Sequence, residues 1–211
     1  MTTESPYATT ERPEVHSLVP RTALRILDVG CNDGGFGVWL QGDVSGRDVW
    51  GIEPNVAQAA LARQTCAGVV TGLYPQALDQ IDGEFDCITF NHVLEHMTDP
   101  WGALEQTRDR LTSGGCVIAV IPNIRYFPVL VNLAFRGRWD YQDTGQLDRT
   151  HLRFFTRASI ITLFLNAHLH IDHLQPVNGF ACVSHPLLSR IASRLFGDTT
   201  YGGFAIRAIR Q

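Results

Sequence analysis

Over the first 120 positions the apolar residues fall into short continuous runs, separated by segments patterned for helices. Residues 23–30 (ALRILDVG) form one such run, ending in glycine, and predict a buried strand. Further runs at 48–53 (DVWGIE), 68–71, 85–91 (FDCITFN) and 116–121 (CVIAVI) predict four more. Helices are expected from Pro13, where the proline suits a first turn, and from Gly35. The Ala-rich segment 55–64 is expected to be helical with Asn55 as its cap. Residues 99–111 complete the set, with Pro100 near the start and Gly114-Gly115 beyond the end. Strands that alternate with helices and are apolar on both faces imply an open parallel sheet covered on each side.

After residue 121 the pattern changes. An apolar stretch at 126–135 is followed by the mixed segment RGRWDYQDTGQLDRTHLRFF, and helical signals return only at 156–166. More than 30 residues separate the fifth strand from that helix. Connections in such folds mostly run about 2–6 residues, so residues 123–155 read as an insertion with a function of its own. Residues 168–174 and 203–210 are expected to supply two last strands. No repeat, linker or low-complexity tract divides the 211 residues, and a single domain is expected, with residues 1–10 loose.

Composition narrows the chemistry. Seventeen basic residues face 21 acidic ones, a net charge of −4, which argues against a broad electrostatic grip on nucleic acid. All the basic residues are arginine, so Schiff-base and phosphate-loop lysines are excluded. Five cysteines, at 31, 66, 87, 116 and 182, form no CxxC pair and read as reduced thiols. With no signal-like N-terminus and no apolar run of about 18 residues, a soluble cytoplasmic protein is expected.

The first strand runs into Asp28-Val29-Gly30-Cys31-Asn32-Asp33-Gly34-Gly35. A glycine-rich turn between strand and helix lets backbone approach a ligand closely. Asn32 interrupts the dinucleotide fingerprint, although asparagine tolerates a left-handed backbone better than other side chains. A tight turn without a ligand is the plain alternative. Glu53 closes the second strand, 23 residues after Gly30 and ahead of Pro54. An acid there, about 20 residues after the turn, can accept hydrogen bonds from both hydroxyls of a ribose.

These segments resemble the class I S-adenosylmethionine-dependent methyltransferases, over almost the whole chain. Asp28-Val29-Gly30-Cys31 matches the first motif, Glu53 the ribose acid, Phe85-Asp86-Cys87-Ile88 the fourth-strand motif, and Leu111-Thr112-Ser113-Gly114-Gly115 the turn before strand five. Asn91-His92-Val93-Leu94-Glu95-His96, Pro122-Asn123, Arg136-Gly137-Arg138-Trp139-Asp140-Tyr141 and residues 148–156 (DRTHLRFFT) resemble a bacterial subgroup associated with polysaccharide and small-molecule genes. The resemblance implies a Rossmann-like, doubly wound α/β fold. Its seven-stranded sheet is mostly parallel with the last strand antiparallel, and helices cover both faces. It also implies S-adenosyl-L-methionine as cofactor, held by Asp28, Gly30, Cys31, Asn32, Gly34, Glu53, Pro54, Leu73 and Asn91. The sequence departs from the pattern at Asn32 and at Leu73, where relatives carry an acid toward adenine. Such a cofactor has no phosphate, which separates this reading from a nicotinamide dehydrogenase.

Proton removal is the remaining task. His92 and His96 are spaced i, i+4 and would share one face of a short helix, either as base or as structural side chains ordering the turn. The segment also fits HxxEH, but no third ligand is identifiable, and no metal is expected. Asp148 or His151 is placed at the acceptor, with a structural plug as the alternative. Tyr126, Trp139, Tyr141 and Arg149 are the candidate acceptor contacts. Trp139 and Tyr141 could stack on a sugar or aromatic ring, or cover a hydrophobic edge. HxHxxH at His168, His170 and His173 reads as an exposed last strand. The expected reaction is O-methylation of a small-molecule hydroxyl. Nitrogen or carbon methylation, and a non-catalytic cofactor-binding subunit, are the rivals. The expected partners are the small-molecule acceptor and a second copy or partner enzyme; a nucleic acid and a membrane span are not expected.

Overall fold

The computed structural model describes residues 13–179 and 197–211. Cys182 and the N-terminal residues expected to be loose lie outside them. Seven strands form one sheet in the order β3-β2-β1-β4-β5-β7-β6. They are β1 (Arg25–Val29), β2 (Asp48–Glu53), β3 (Gly68–Thr71), β4 (Phe85–Asn91), β5 (Leu111–Pro122), β6 (Leu169–Gly179) and β7 (Tyr201–Arg210). The pairs among β1 to β5 are parallel, and β7 runs antiparallel to both β5 and β6. The order reverses between β1 and β4. That switch point is where open α/β sheets leave a crevice beyond their strand C-termini.

The helices start where local chemistry satisfies their free N–H groups. In α3 (Val56–Ala62) the Asn55 side chain accepts from the N–H of Ala57 and Gln58. In α4 (Pro100–Asp109) Asp99 accepts from Gly102 N, and Pro100 occupies the first turn. A Thr156–Ser159 capping box opens α6 (Arg157–Asn166). The remaining helices are α1 (Pro13–His16), α2 (Gly35–Asp43) and α5 (Phe127–Arg136). Alternation along the strands builds a core on each face. Ile88, Phe90, Val117 and Ala119 pack with Leu104 of α4 and Leu163 and Phe164 of α6. Cys87, Cys116, Ile118 and Val120 pack on the other face with Val15, Phe36 and Leu40. Among the described residues no helix is long and apolar enough to cross a membrane.

Three local expectations change. Helical structure resumes before residue 156, because the apolar stretch at 126–135 folds as α5, with Pro128 in its first turn and left-handed Gly137 at its end. Residues 111–115 are not a separate turn before strand five. Leu111 already pairs with Phe85, Cys116 pairs with Cys87, and the residues between bulge out, with Gly114 at φ +77°. His92 does not share a helical face with His96. It sits at φ +56°, ahead of a single 3₁₀ turn spanning Leu94–His96.

Candidate functional site

The turn after β1 is anchored to β2. Gly30 N donates to Ile52 O at 2.8 Å, which carries the loop over the end of the second strand. Gly30 (φ +73°) and Asn32 (φ +51°) both adopt the left-handed conformation, so asparagine does serve in place of a glycine. A Cβ on Gly30 would lie 2.7 Å from Val93 Cγ2, so the loops after β1 and β4 touch there. Glu53, 8% exposed, ties the turn together: Oε2 accepts from Asn32 N at 2.9 Å and Oε1 from Asn55 N at 2.8 Å. Each carboxylate oxygen keeps a lone pair beyond those bonds.

Asp28 is buried behind the turn. It accepts from Thr89 Oγ1 at 2.7 Å and from Asn91 Nδ2 at 3.4 Å. A carboxylate can only accept, so it fixes which end of the Asn91 amide faces it. The other end, Oδ1, is buried without a hydrogen-bond partner.

A cavity of about 650 Å³ opens over these strand ends. Gly30, Asn32, Glu53, Pro54, Leu73, Asn91, His92 and His96 all line it. Cys31 and Gly34 do not. Cys31 is buried against Gly51, and burial, followed by the charge of Asp28, pushes its thiol well up. Gly34, in left-handed conformation, lets α2 pass close to Thr65 and Ala62. Sequence reasoning missed several lining residues, among them Tyr74, Met97, Asp99, Gly102 and Gln106. Asp99 and Gln106 stand seven positions apart, two helical turns, which was the available signal.

On the opposite wall His92 Nδ1 lies 3.1 Å from Glu95 Oε1, whose side chain is 1% exposed. His96 Nδ1 lies 3.1 Å from both the carbonyl and the hydroxyl oxygen of Thr150. The insertion docks here through its C-terminal end, because Leu152 N and Arg153 N both donate to Glu95 O. That docking places His151 beside His96, with ring centroids 4.7 Å apart, and puts its Nε2 4.0 Å from Glu95 Oε1. Burial lowers the His151 pKa, against the opposing pull of Glu95. A third side chain with metal-binding chemistry is thus present, brought by the fold from 55 residues away: one ligating atom each of Glu95, His96 and His151 lies within 4.8 Å of the others.

His151 stands behind His96 and does not itself line the cavity, and neither do the other acceptor-side candidates. Asp148 is buried and accepts from Thr150 N at 2.8 Å and Thr150 Oγ1 at 2.6 Å, holding the turn that presents His151. Arg149 pairs with Asp143 at 2.8 Å. Trp139 packs edge-on against Phe154 at 5.3 Å, Tyr141 is exposed, and Tyr126 caps the start of α5.

The family model described as "Methyltransferase domain" matches residues 7–174. No curated protein matches the sequence. Among solved structures, a SAM-dependent methyltransferase from Archaeoglobus fulgidus superposes with a TM-score of 0.66 at 15% identity, covering 93% of this chain and 88% of its own. A SAM-dependent methyltransferase from Thermotoga maritima, described as a possible histamine N-methyltransferase, gives 0.62 at 20% identity, covering 94% and 86%. The plantazolicin methyltransferase BamL, solved with a triazolic desmethylPZN analog and SAH, gives 0.62 at 13%, covering 89% and 77%. With the family model spanning most of its length and the fold shared with these structures, the chain belongs to the methyltransferase domain family.

Proposed function

We propose that the chain is an S-adenosylmethionine-dependent methyltransferase that methylates a hydroxyl of a small molecule, of the sugar or natural-product kind. The observation that carries this reading is the cavity with two unlike walls. One presents the Glu53 carboxylate and the unpartnered Asn91 Oδ1; the other presents two imidazoles. The donor set fits the cofactor. Glu53 can accept from ribose hydroxyls, and Asn91 Oδ1, with backbone carbonyls near Gly30, can accept from an ammonium. Leu73 and Tyr74 offer adenine an apolar edge, and among the described residues no arginine lines the cavity to meet a pyrophosphate. The bound cofactor supplies an activated methyl group on a sulfonium.

The chain's own residues then align the acceptor and take its proton. His92 is the proposed base. A buried carboxylate holds its Nδ1–H, which leaves Nε2 with the lone pair, the arrangement by which a His–carboxylate pair orients a base. The insertion is proposed as the acceptor platform, part of the same single domain, excluding water from the far wall. Membership of the bacterial small-molecule subgroup, and a cytoplasmic location, belong to the same proposal. Nitrogen methylation is the second reading, favoured by the description of the Thermotoga maritima neighbour.

Titration calorimetry tests the cofactor half. S-adenosylhomocysteine should bind and NAD should not. Glu53→Ala should weaken the former by about 1.5–3 kcal/mol, the worth of hydrogen bonds to a charged group. Binding of NAD with no response to S-adenosylhomocysteine would overturn the assignment.

A further inference from the structure

We propose that Glu95, His96 and His151 form a binding site for one divalent cation of the zinc class, at the acceptor-side wall of the cavity.

The argument begins with what the three groups lack. The Thr150 carbonyl beside His96 Nδ1 can only accept, so that nitrogen carries the hydrogen and Nε2 holds the lone pair. The Gln146 carbonyl lies 3.2 Å from His151 Nδ1 and imposes the same tautomer there. Glu95 receives one bond from His92 at Oε1, while its Oε2 is buried with no partner. Two imidazoles with free lone pairs and a carboxylate with one unpartnered oxygen are thus neighbours: one ligand atom of each residue lies within 4.8 Å of the others, His151 Nε2 stands 4.0 Å from Glu95 Oε1, and Glu95 and His151 are buried. Acceptors gathered out of water without a donor are costly, and a cation between them removes that cost.

The surroundings are those of a ligand set. Metal-binding histidines almost always donate their second ring N–H to a carbonyl or carboxylate, which fixes tautomer and orientation. Both histidines here do so, on carbonyls of the same short segment, and Asp148 braces that segment through Thr150. Two imidazoles and one carboxylate suit zinc rather than magnesium or calcium, which favour all-oxygen shells. Three protein ligands leave a fourth position open, as in zinc sites that bind water or substrate. His96 is the one of the three that lines the cavity, which sets the site at its acceptor-side wall. A cation there would make an acceptor hydroxyl easier to deprotonate. That use rests on the methyl-transfer reading; the site itself does not.

The test takes the full chain, stripped with a chelator and dialysed, and titrates it with Co²⁺ and then Zn²⁺. One Co²⁺ per chain should bind with the visible absorption of a low-coordinate centre, displaced by Zn²⁺ and not by Mg²⁺. His151→Asn and Glu95→Gln should each weaken Zn²⁺ binding more than about 100-fold, beyond the 10–100-fold that losing an outer-shell partner costs. A His168→Ala, His170→Ala double variant, at exposed positions, should leave it unchanged. S-adenosylhomocysteine affinity, measured on each protein, reports folding and keeps the two proposals apart. Wild-type protein that binds S-adenosylhomocysteine but no stoichiometric Zn²⁺ overturns the cation site and spares the methyltransferase. Stoichiometric Zn²⁺ lost only in the His168, His170 variant overturns it too. Zn²⁺ binding without S-adenosylhomocysteine binding supports the cation site and overturns the cofactor reading.

Discussion

The two walls of the cavity are built by different means. On the cofactor side, Gly30, Asn32, Glu53 and Asn91 stand at or just past the ends of adjacent parallel strands, and backbone bonds such as Gly30 N to Ile52 O hold them. On the acceptor side, His92, Glu95 and His96 lie on a turn after β4, and a distant segment backs that turn by donating two N–H groups to Glu95 O. The first wall follows from sheet geometry. The second depends on docking between segments more than 50 positions apart, through Leu152 and Arg153 on Glu95 O and Thr150 on His96. Chemistry toward the cofactor is thereby fixed by the scaffold, and chemistry toward the acceptor is left to loops that can vary.

The largest effect confined to the acceptor side is expected from His92→Ala. It should cut turnover by roughly 10²–10⁴, the usual worth of general acid–base catalysis, while S-adenosylhomocysteine affinity stays close to wild type. Unchanged turnover would show that His92 is not the base. A collapse of cofactor binding would show instead that His92 props the cofactor wall.

Gly30→Ala probes the point where the walls touch. The left-handed backbone and the contact with Val93 should together cost about 1–3 kcal/mol of stability, read from urea unfolding. Adding Val93→Ala should recover the steric part and leave the backbone part. Purely additive costs in the double variant would mean that the loops do not press on one another.

A Trp139→Ala, Tyr141→Ala double variant separates the walls by function. Cofactor affinity should hold, and KM for the acceptor should rise about tenfold, or 1.4 kcal/mol, because Trp139 packs on Phe154, which in turn packs on His151 behind the acceptor-side wall. An unchanged KM would place acceptor recognition outside this segment.

The smallest effect concerns pH. Burial depresses the His151 pKa below its unfolded value of about 6.5. The unfolded chain therefore binds more protons just below that value, and stability falls as pH drops through about 6.5 toward the folded pKa. Thermal midpoints measured from pH 7.5 to 5.5 in the absence of metal should show that loss, and His151→Asn should reduce it. An identical pH profile in the variant would contradict the buried, neutral imidazole.

Much of the cofactor wall was legible because it is local. Glycine at a strand end, an acid closing the next strand, and caps such as Asn55 and Asp99 act within a few residues of themselves, so their types report their conformations. Even the Asn32 departure could be read, since its backbone tolerance belongs to the residue alone. Cys31 and Gly34 were harder, because sequence does not say which side of a turn faces a ligand and which faces a neighbouring helix. The cluster of three potential ligands was invisible for a stronger reason. Glu95 and His96 offer two groups in a familiar spacing, and nothing local announces that His151 is the third.

Period, propensity and caps specify the strands, every helix except α5, the switch from sheet to insertion and the residues at each strand end. The antiparallel last strand is implied by the family resemblance and is present, whereas the pairing of neighbouring strands, the seat of β7 between β5 and β6, and the docking of the insertion on the Glu95 carbonyl emerge only in the folded molecule. Those choices are made by long-range burial and by the need to pair every buried polar group, and neither is a property of any one segment.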